Sequence, residues 1–434
     1  VIVSTAWAGK RYAMLGLARS GLATVRALAA AGAYVVAWDQ DPAARAQAKA
    51  IDGVIVHDIA ALDLTGAAGL VVSPGVPLNT HPIAAQARAA GVPIIGDIEL
   101  FAEARAELPA HKVVGITGTN GKSTTTALVA HILDVAGLPV TMGGNIGLPI
   151  LGQTPLAPND RGAGVYVLEL SSYQIDLTTS LDCDVAVLLN ITPDHLDRYA
   201  GFDAYAASKA RLFAMQSPDH EAVIGIGDAP SAQIARSLSV RGEHLTKIAP
   251  GVCMDQSRWP SLQGPHNAQN ALAAIAAAQA LGVDEVTIDG ALESFRGLPH
   301  RMERLGEVNG VSFVNDSKAT NPESAAPALA AFNRVHWIVG GKGKGDDLDA
   351  CLPHLGHVVR AYTIGASGPV FARALDGKVP VEQAETLEQA VDSAARQAQP
   401  GDTVLLSPAA ASFDQFRDYE HRGQVFRDTV EGLS

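Results

Sequence analysis

A chain of 434 residues exceeds one ordinary hydrophobic core, and its 47% apolar content supplies material for two or three. The formal net charge of −13 argues against nucleic acid as a partner, because phosphate backbones require dense Lys and Arg. Cys183, Cys253 and Cys351 lie far apart without a C-x-x-C pair, which argues against a disulfide framework or zinc site and for buried free thiols in a reducing compartment.

Aromatic residues make up only 5% of the chain, and an interior of Ala, Val, Leu and Ile suits helices packed on parallel sheets. No apolar run approaches the ~18 residues of a membrane span. The opening VIVSTAWAGKRYAML lacks the apolar core of a signal peptide. The expectation is a cytoplasmic protein with no membrane span.

The first block runs to about Gly96. RYAMLGLARSGLATVRALAAAGAYVVAWD (11–39) reads as strand, glycine turn, helix and strand, with Gly32 as a natural C-cap. GLARSG (16–21) resembles G-x-G-x-x-G with Ala18 at the second glycine, and Asp39 ends the next strand. Read alone, this points to a dinucleotide dehydrogenase. The absent middle glycine weakens that reading, since it is the one that permits close pyrophosphate approach. A glycine turn plus an acid at the next strand end serves any nucleotide. GLVVSPGVPL (69–78) repeats the design, and its Ser-Pro-Gly turn suits a diphosphate.

The second block opens with the helical DIELFAEARAEL and then HKVVGITGTNGKSTTTALVAHILDVAG, a strand, glycine loop and helix. The loop misses the P-loop pattern G-x-x-x-x-G-K-[ST] by one glycine, with Ile116 in its place. Gly118 and Gly121 let backbone N–H groups approach phosphate oxygens. The helix starting near Lys122 adds its positive end. Lys122 reaches the β- and γ-phosphates in this reading, and the Ser123 hydroxyl ligates Mg²⁺. Strands follow at 164–172 and 183–192. Glu169 stands at a strand's carboxyl end, where α/β sites gather. His195 lies just past the next strand beside Asp194, Asp197 and Arg198, either a turn residue or a ligand. GQTPLAPNDRG (152–162) is a surface loop, and residues 266–282 form a late helix.

The third block begins near Pro299, with strands at 311–317, 335–341, 361–365 and 402–408. Strands alternating with helices predict parallel sheets with right-handed crossovers throughout.

In chain order, GITGTNGKST (115–124), GGNIG (143–147), ELSSYQ (169–174), DHLDRY (194–199), HNAQNALAA (266–274), NDSKATNP (315–322) and LLSPAAASFDQF (405–416) resemble motifs of the Mur ligases of peptidoglycan synthesis. SPAAASFDQF and the lack of a D-N-P-R-type motif favour the glutamate-adding branch. The resemblance spans nearly the whole chain. It implies an α/β protein of three tandem domains: a Rossmann-like UDP-substrate domain (1–96), a central P-loop ATPase-type domain (97–298) and a Rossmann-like amino-acid domain (299–434). It implies ATP-dependent addition of D-glutamate to UDP-N-acetylmuramoyl-L-alanine through an acyl phosphate, with release of ADP and phosphate. The loop T-G-T-N-G-K-S is then the family's own form of the P-loop.

The resemblance also implies residue roles. Gly118, Thr119, Asn120, Gly121, Lys122, Ser123 and Thr124 would hold ATP, with Asn267 and Asn270 on adenine and Arg301 and Asp316 near the phosphates and ribose. Arg19, Ser20, Asp39 and Gln40 would meet uracil and ribose, and Ser73, Pro74 and Gly75 the diphosphate. Arg19 departs from the apolar residue expected there. Asn145 and His195 would hold the substrate, with Lys122, Glu169, His195 and Lys209 as the catalytic group. Ser123 and Glu169 would serve one Mg²⁺, and His195 and Lys209 a second, Lys209 as a carbamate formed with CO₂. On sequence alone a helical lysine is ordinarily a solvated cation. Lys318, Thr320, Lys344, Ser412, Phe413 and Tyr419 would form the D-glutamate pocket, with Lys342 an alternative to Lys344 and Tyr419 where Phe is common. A monomer is expected. An L-glutamate-adding variant, another Mur or folylpolyglutamate-type ligase, a dehydrogenase and a non-catalytic nucleotide-binding protein remain as alternatives.

Overall fold

The computed structural model describes residues 1–195, 197–249, 255–343 and 347–433, so Cys253 and Lys344 lie outside the described residues. The chain divides into two compact units, Val1–Met254 with Asn267–Glu293, and Asp255–His266 with Ser294–Ser434.

The first unit holds two sheets. The first contains β1 (Arg11–Leu15), β2 (Tyr34–Trp38), β3 (Val54–Val56), β4 (Gly69–Val72) and β5 (Ile94–Ile95), in the order β3-β2-β1-β4-β5 with every pair parallel. The central strands β1 and β4 are apolar and buried on both faces, as parallel strands covered by helices must be. The strand order reverses between β1 and β4, which opens a crevice at their carboxyl ends. There Gly16 has φ +90°, and a Cβ on it would stand 2.8 Å from the Ser73 Cβ. A Cβ on Gly21 would collide with the Gly16 carbonyl. Close packing therefore accounts for both glycines of GLARSG.

The second sheet contains β6 (His111–Thr117), β7 (Val140–Gly144), β8 (Gly164–Glu169), β9 (Val185–Leu188), β10 (Glu221–Gly225) and β11 (Leu245–Ile248), all parallel, in the order β11-β10-β9-β6-β8-β7. Register decides what surrounds the loop after β6. Ile116 pairs with Glu169 and Thr117 with Leu188, so the ends of β8 and β9 flank that loop. A common core joins both sheets. Ile2 and Trp7 are fully buried in it with Phe101, Ile150 and Tyr166, and Trp7 Nε1 donates to Glu103 at 2.8 Å. Cys183 and Cys351 are free and buried, as expected.

The second unit holds a mixed sheet of β12 (Glu303–Val308), β13 (Val311–Asn315), β14 (Val335–Gly340), β15 (Val358–Ile364), β16 (Val381–Glu385) and β17 (Thr403–Leu406), in the order β12-β13-β17-β14-β15-β16. The expectation of a wholly parallel third block is corrected here. β12 runs antiparallel to β13, and the two are joined by Asn309 and Gly310 with φ of 53° and 77°. An Asn-Gly pair with both φ values positive is the two-residue turn whose twist matches a hairpin.

Gly115, in the middle of β6, shows how tightly the central sheet is packed. A Cβ there would lie 2.6 Å from Cys183 Sγ and 3.2 Å from Leu170 Cδ1. Gly115→Ala should therefore lower unfolding free energy by about 1–3 kcal/mol, the usual cost of overpacking, and Cys183→Ala in the same chain should restore part of it. Denaturant titration of the two variants checks this; an unchanged midpoint for Gly115→Ala would count against the packing.

Candidate functional site

β6 delivers the chain into a loop whose shape depends on two glycines. Gly118 has φ 149° and Gly121 φ 85°, and Gly121 is the N-cap of the helix Lys122–Val135. A side chain at Gly121 would collide with Asn270 Oδ1, so the asparagine's approach also demands glycine. Asn270 Nδ2 in turn donates to Asn267 Oδ1 at 3.1 Å, and both asparagines are buried. The carbonyl-rich face of the loop meets Lys122, whose Nζ donates to Gly118 O at 2.9 Å and Thr119 O at 2.8 Å.

One expectation for this loop is refined. The Thr119 N–H donates to Asn190 O and the Asn120 N–H to Asn190 Oδ1, each at 2.9 Å. Those two N–H groups are thus committed within the protein, and residues 122–124 form the first turn of the helix that follows. Thr124 sits half-buried on that first turn. Asn190, which sequence reasoning missed, also returns a bond from Nδ2 to Asn120 O at 3.2 Å. A polar residue just past the apolar β9 was the available signal.

Glu169 ends β8 beside this loop and is 2% exposed. Ser123 Oγ donates to Glu169 Oε2 at 2.5 Å, and Asn145 Nδ2 to Glu169 Oε1 at 2.9 Å. A hydroxyl and a carboxylate in this contact are the hard oxygen donors that a divalent cation takes. Among the described residues no three His, Cys, Asp or Glu side chains form a group that could hold a metal ion by themselves. A cation at Ser123 and Glu169 would complete its shell from a bound phosphate or water, the usual arrangement for Mg²⁺.

Lys209 lies on the helix Phe202–Ala214 and is 1% exposed, which overturns the solvated-cation reading. Its Nζ donates to the same Gly118 carbonyl, at 2.9 Å, and lies 4.8 Å from the Tyr205 ring centroid. Burial holds its pKa well below the ordinary lysine range, and the Lys122 charge pushes it further down against a pull from Asp194 and Asp176. His195 is held at φ 54° in the turn after β9. Its ring packs on Tyr173 at 5.0 Å, and burial lowers its pKa. The structure thus brings Lys122, Ser123, Glu169, Asn145 and Lys209 around the end of β6.

The residues expected to hold a UDP group gather at the crevice of the first sheet. Asp39 Oδ2 accepts the Leu17 N–H at 2.6 Å, which fixes the GLARSG loop to the end of β2. Ser20 is half-buried on the helix Arg19–Ala30, and Gln40 is exposed. Arg19, at the start of that helix, reaches across to Gly147 O at 3.3 Å. Ser73 Oγ donates to Gly16 O at 2.9 Å, and Ser73, Pro74 and Gly75 form a turn closed by the Val76 N–H on Ser73 O at 3.0 Å.

In the second unit, Asp316 follows β13 and is 7% exposed. It accepts Ser407 Oγ–H at 2.8 Å and the Met302 N–H at 3.2 Å, yet burial outweighs both and raises its pKa to about 7. Arg301, half-exposed, precedes Met302, whose N–H Asp316 accepts. Lys318 Nζ lies 3.9 Å from the Tyr419 ring centroid. Arg422, another residue the sequence did not single out, is fully buried. Burial lowers its pKa to about 10. It donates to Ser317 O at 2.8 Å, Ser317 Oγ at 3.0 Å and Ala411 O at 3.3 Å, binding the NDSKATNP and SPAAASF segments to each other. Ser412 is buried and Thr320 half-buried. Phe413 is 68% exposed, so within this unit its ring does not belong to an enclosed pocket.

Comparison with known proteins gives one consistent picture. Family descriptions match three successive stretches: "Mur ligase MurD-like, N-terminal domain" at 10–96, "Mur ligase middle domain" at 116–251 and "Mur ligase, glutamate ligase domain" at 300–410. A protein of Novosphingobium aromaticivorans named UDP-N-acetylmuramoylalanine--D-glutamate ligase is 62% identical over 100% of this chain and 97% of its own length. One of the same name from Sphingopyxis alaskensis is 60% identical over 100% of both. Among solved structures, a Thermotoga maritima UDP-N-acetylmuramate-alanine ligase shares the fold at 18% identity, with a TM-score of 0.60 over 98% of this chain and 100% of that one. With full-length relatives at this identity, the chain belongs to the Mur ligase family.

Proposed function

We propose that this chain is an ATP-dependent ligase that adds D-glutamate to UDP-N-acetylmuramoyl-L-alanine in peptidoglycan precursor synthesis. The observation that carries the reading is the Ser123–Glu169 contact beside Lys122, on a phosphate-type loop, in a chain 62% identical over its length to a ligase of that name. Within it, residues 1–96 bind the UDP substrate, 97–298 bind ATP and 299–434 bind the amino acid. The chain works as a monomer in the cytoplasm.

A carboxylate is a poor electrophile, and that dictates the chemistry. Transfer of the ATP γ-phosphoryl group to the substrate carboxylate gives an acyl phosphate and ADP. The glutamate amine then attacks the activated carbonyl, the amide forms and phosphate leaves. The first step brings two anions together, so positive charge must stand between them. Lys122 turns from the loop carbonyls to the phosphates. Ser123 and Glu169 would hold Mg²⁺, which supplies charge screening when bound. Asn145, already on Glu169, positions the substrate.

Burial and the Lys122 charge push the Lys209 pKa well down and so favour the neutral amine, the form that reacts with CO₂. N–C bond formation with loss of one proton yields a carbamate, converting a neutral nitrogen into an anionic oxygen donor. With His195 it would hold a second Mg²⁺. Asn267 and Asn270 contact adenine, and Arg301 and Asp316 the phosphates and ribose. Arg19, Ser20, Asp39 and Gln40 bind uridine, and Ser73, Pro74 and Gly75 its diphosphate. Lys318, Thr320, Lys344, Ser412, Phe413 and Tyr419 bind glutamate, whose carboxylates require cations.

The direct test is phosphate release from ATP, Mg²⁺ and UDP-N-acetylmuramoyl-L-alanine with D-glutamate, L-glutamate or no amino acid. Release should require D-glutamate; release with L-glutamate alone, or with neither, would reject the reading. Lys122→Ala and Glu169→Gln should each lower kcat at least about 100-fold, and near-normal turnover in either would remove the phosphate-site assignment. With ¹³C-labelled bicarbonate, the unaltered chain should give a carbamate carbon resonance that Lys209→Ala lacks; the same spectrum from both would reject the carbamate.

A further inference from the structure

The turn after His195 carries an arginine that the roles above leave unused. Arg198 Nη2 donates to Val76 O at 2.8 Å and lies 3.4 Å from Pro74 O, while its Nη1 lies 3.5 Å from Gly75 O. One guanidinium therefore serves consecutive carbonyls of the turn that begins at Ser73. The same group lies 4.4 Å from the Tyr173 ring centroid, and Tyr173 packs on the His195 ring. The Arg198 N–H donates to His195 O at 2.9 Å, closing the turn that keeps His195 at φ 54°. Asn79 Nδ2 adds a second tie, to Asp197 O at 3.0 Å.

Two physical consequences follow. A planar fork of donors can satisfy several carbonyls at once, which a lysine ammonium cannot do in one fixed geometry. Those carbonyls would otherwise set partial negative charge beside the turn proposed to hold a diphosphate, and a guanidinium offsets it. The left-handed backbone at His195 is strained for a residue with a side chain and persists only where its surroundings hold it. Arg198 is part of those surroundings.

We propose that Arg198 is a positioning residue that locks the Ser73–Val76 turn against the His195 turn, holding the diphosphate end and the carboxylate end of the UDP-linked substrate at one spacing. The proposal rests on the UDP site assigned above. Three measurements on Arg198→Ala and Arg198→Lys in the full chain test it. The KM for UDP-N-acetylmuramoyl-L-alanine should rise about tenfold in Arg198→Ala, given the cost of misplaced substrate, with the KM for ATP within about twofold and a smaller fall in kcat. Arg198→Lys should recover part of the loss. Amide hydrogen exchange should accelerate at residues 75–79 in Arg198→Ala, with the β6 and β8 amides unchanged. Unchanged exchange at 75–79 would overturn the lock, and so would an equal rise in both KM values together with a lower melting temperature. If the unaltered chain turns over no UDP substrate, the functional reading fails, and the exchange data alone decide the lock.

Discussion

Two lysines share one oxygen. Lys122 and Lys209 each place Nζ 2.9 Å from the Gly118 carbonyl, and the rest of the site follows from that crowding. Two full positive charges on one carbonyl inside a protein repel strongly. Lys122 is the more exposed of the two. Lys209 is sealed beneath Tyr205 and is pushed toward the neutral amine. A single constraint thus sets two chemically identical side chains in different environments. A glycine at 118 makes the arrangement possible, because its φ of 149° turns the carbonyl toward both.

The sheets set everything else by register. β6 lies between β8 and β9, so whatever ends those strands becomes a wall of the loop after Thr117. β8 supplies Glu169 and β9 leads into Asn190 and the His195 turn. The first sheet works the same way through β1 and β4, whose ends carry Gly16 and Ser73. In the second unit, Asp316 follows β13, and Ser407 follows the neighbouring β17. These groups stand at strand ends because a buried parallel sheet is rigid along its length and leaves only its ends open to chemistry.

Much of this was legible in the sequence, and the reasons differ by residue. Lys122 and Ser123 were readable because strand, glycine loop and helix are contiguous, so local spacing carries the geometry. Glu169 was readable as a strand end. The bond from Ser123 to it was not, because it depends on β6 and β8 being neighbours across 46 residues of chain. The burial of Lys209 was invisible to propensity, which treats a helical lysine as solvated. Arg422 and Arg198 act on backbone carbonyls more than 100 residues away or on another block, and no local pattern encodes such partners. The β12–β13 hairpin is the instructive miss. Its Asn309-Gly310 pair is a strong local signal, but the repeated α/β pattern before it favoured one more parallel strand. Phe413 marks a different limit of local reading, since a motif match says nothing about its 68% exposure.

The place of β17 has a consequence for how this protein comes into being. Thr403–Leu406 is hydrogen-bonded between β13 and β14, two strands made some 60 to 90 residues earlier. As the chain emerges from the ribosome, β13 and β14 present open edges with no partner between them until that short segment arrives. The third sheet is therefore zipped from its middle, late in synthesis. Unpaired apolar edges are templates for aggregation, so the pace of translation before Thr403 sets how long this chain stays vulnerable. A nonsense codon upstream of it removes the centre of the sheet and leaves both flanks exposed.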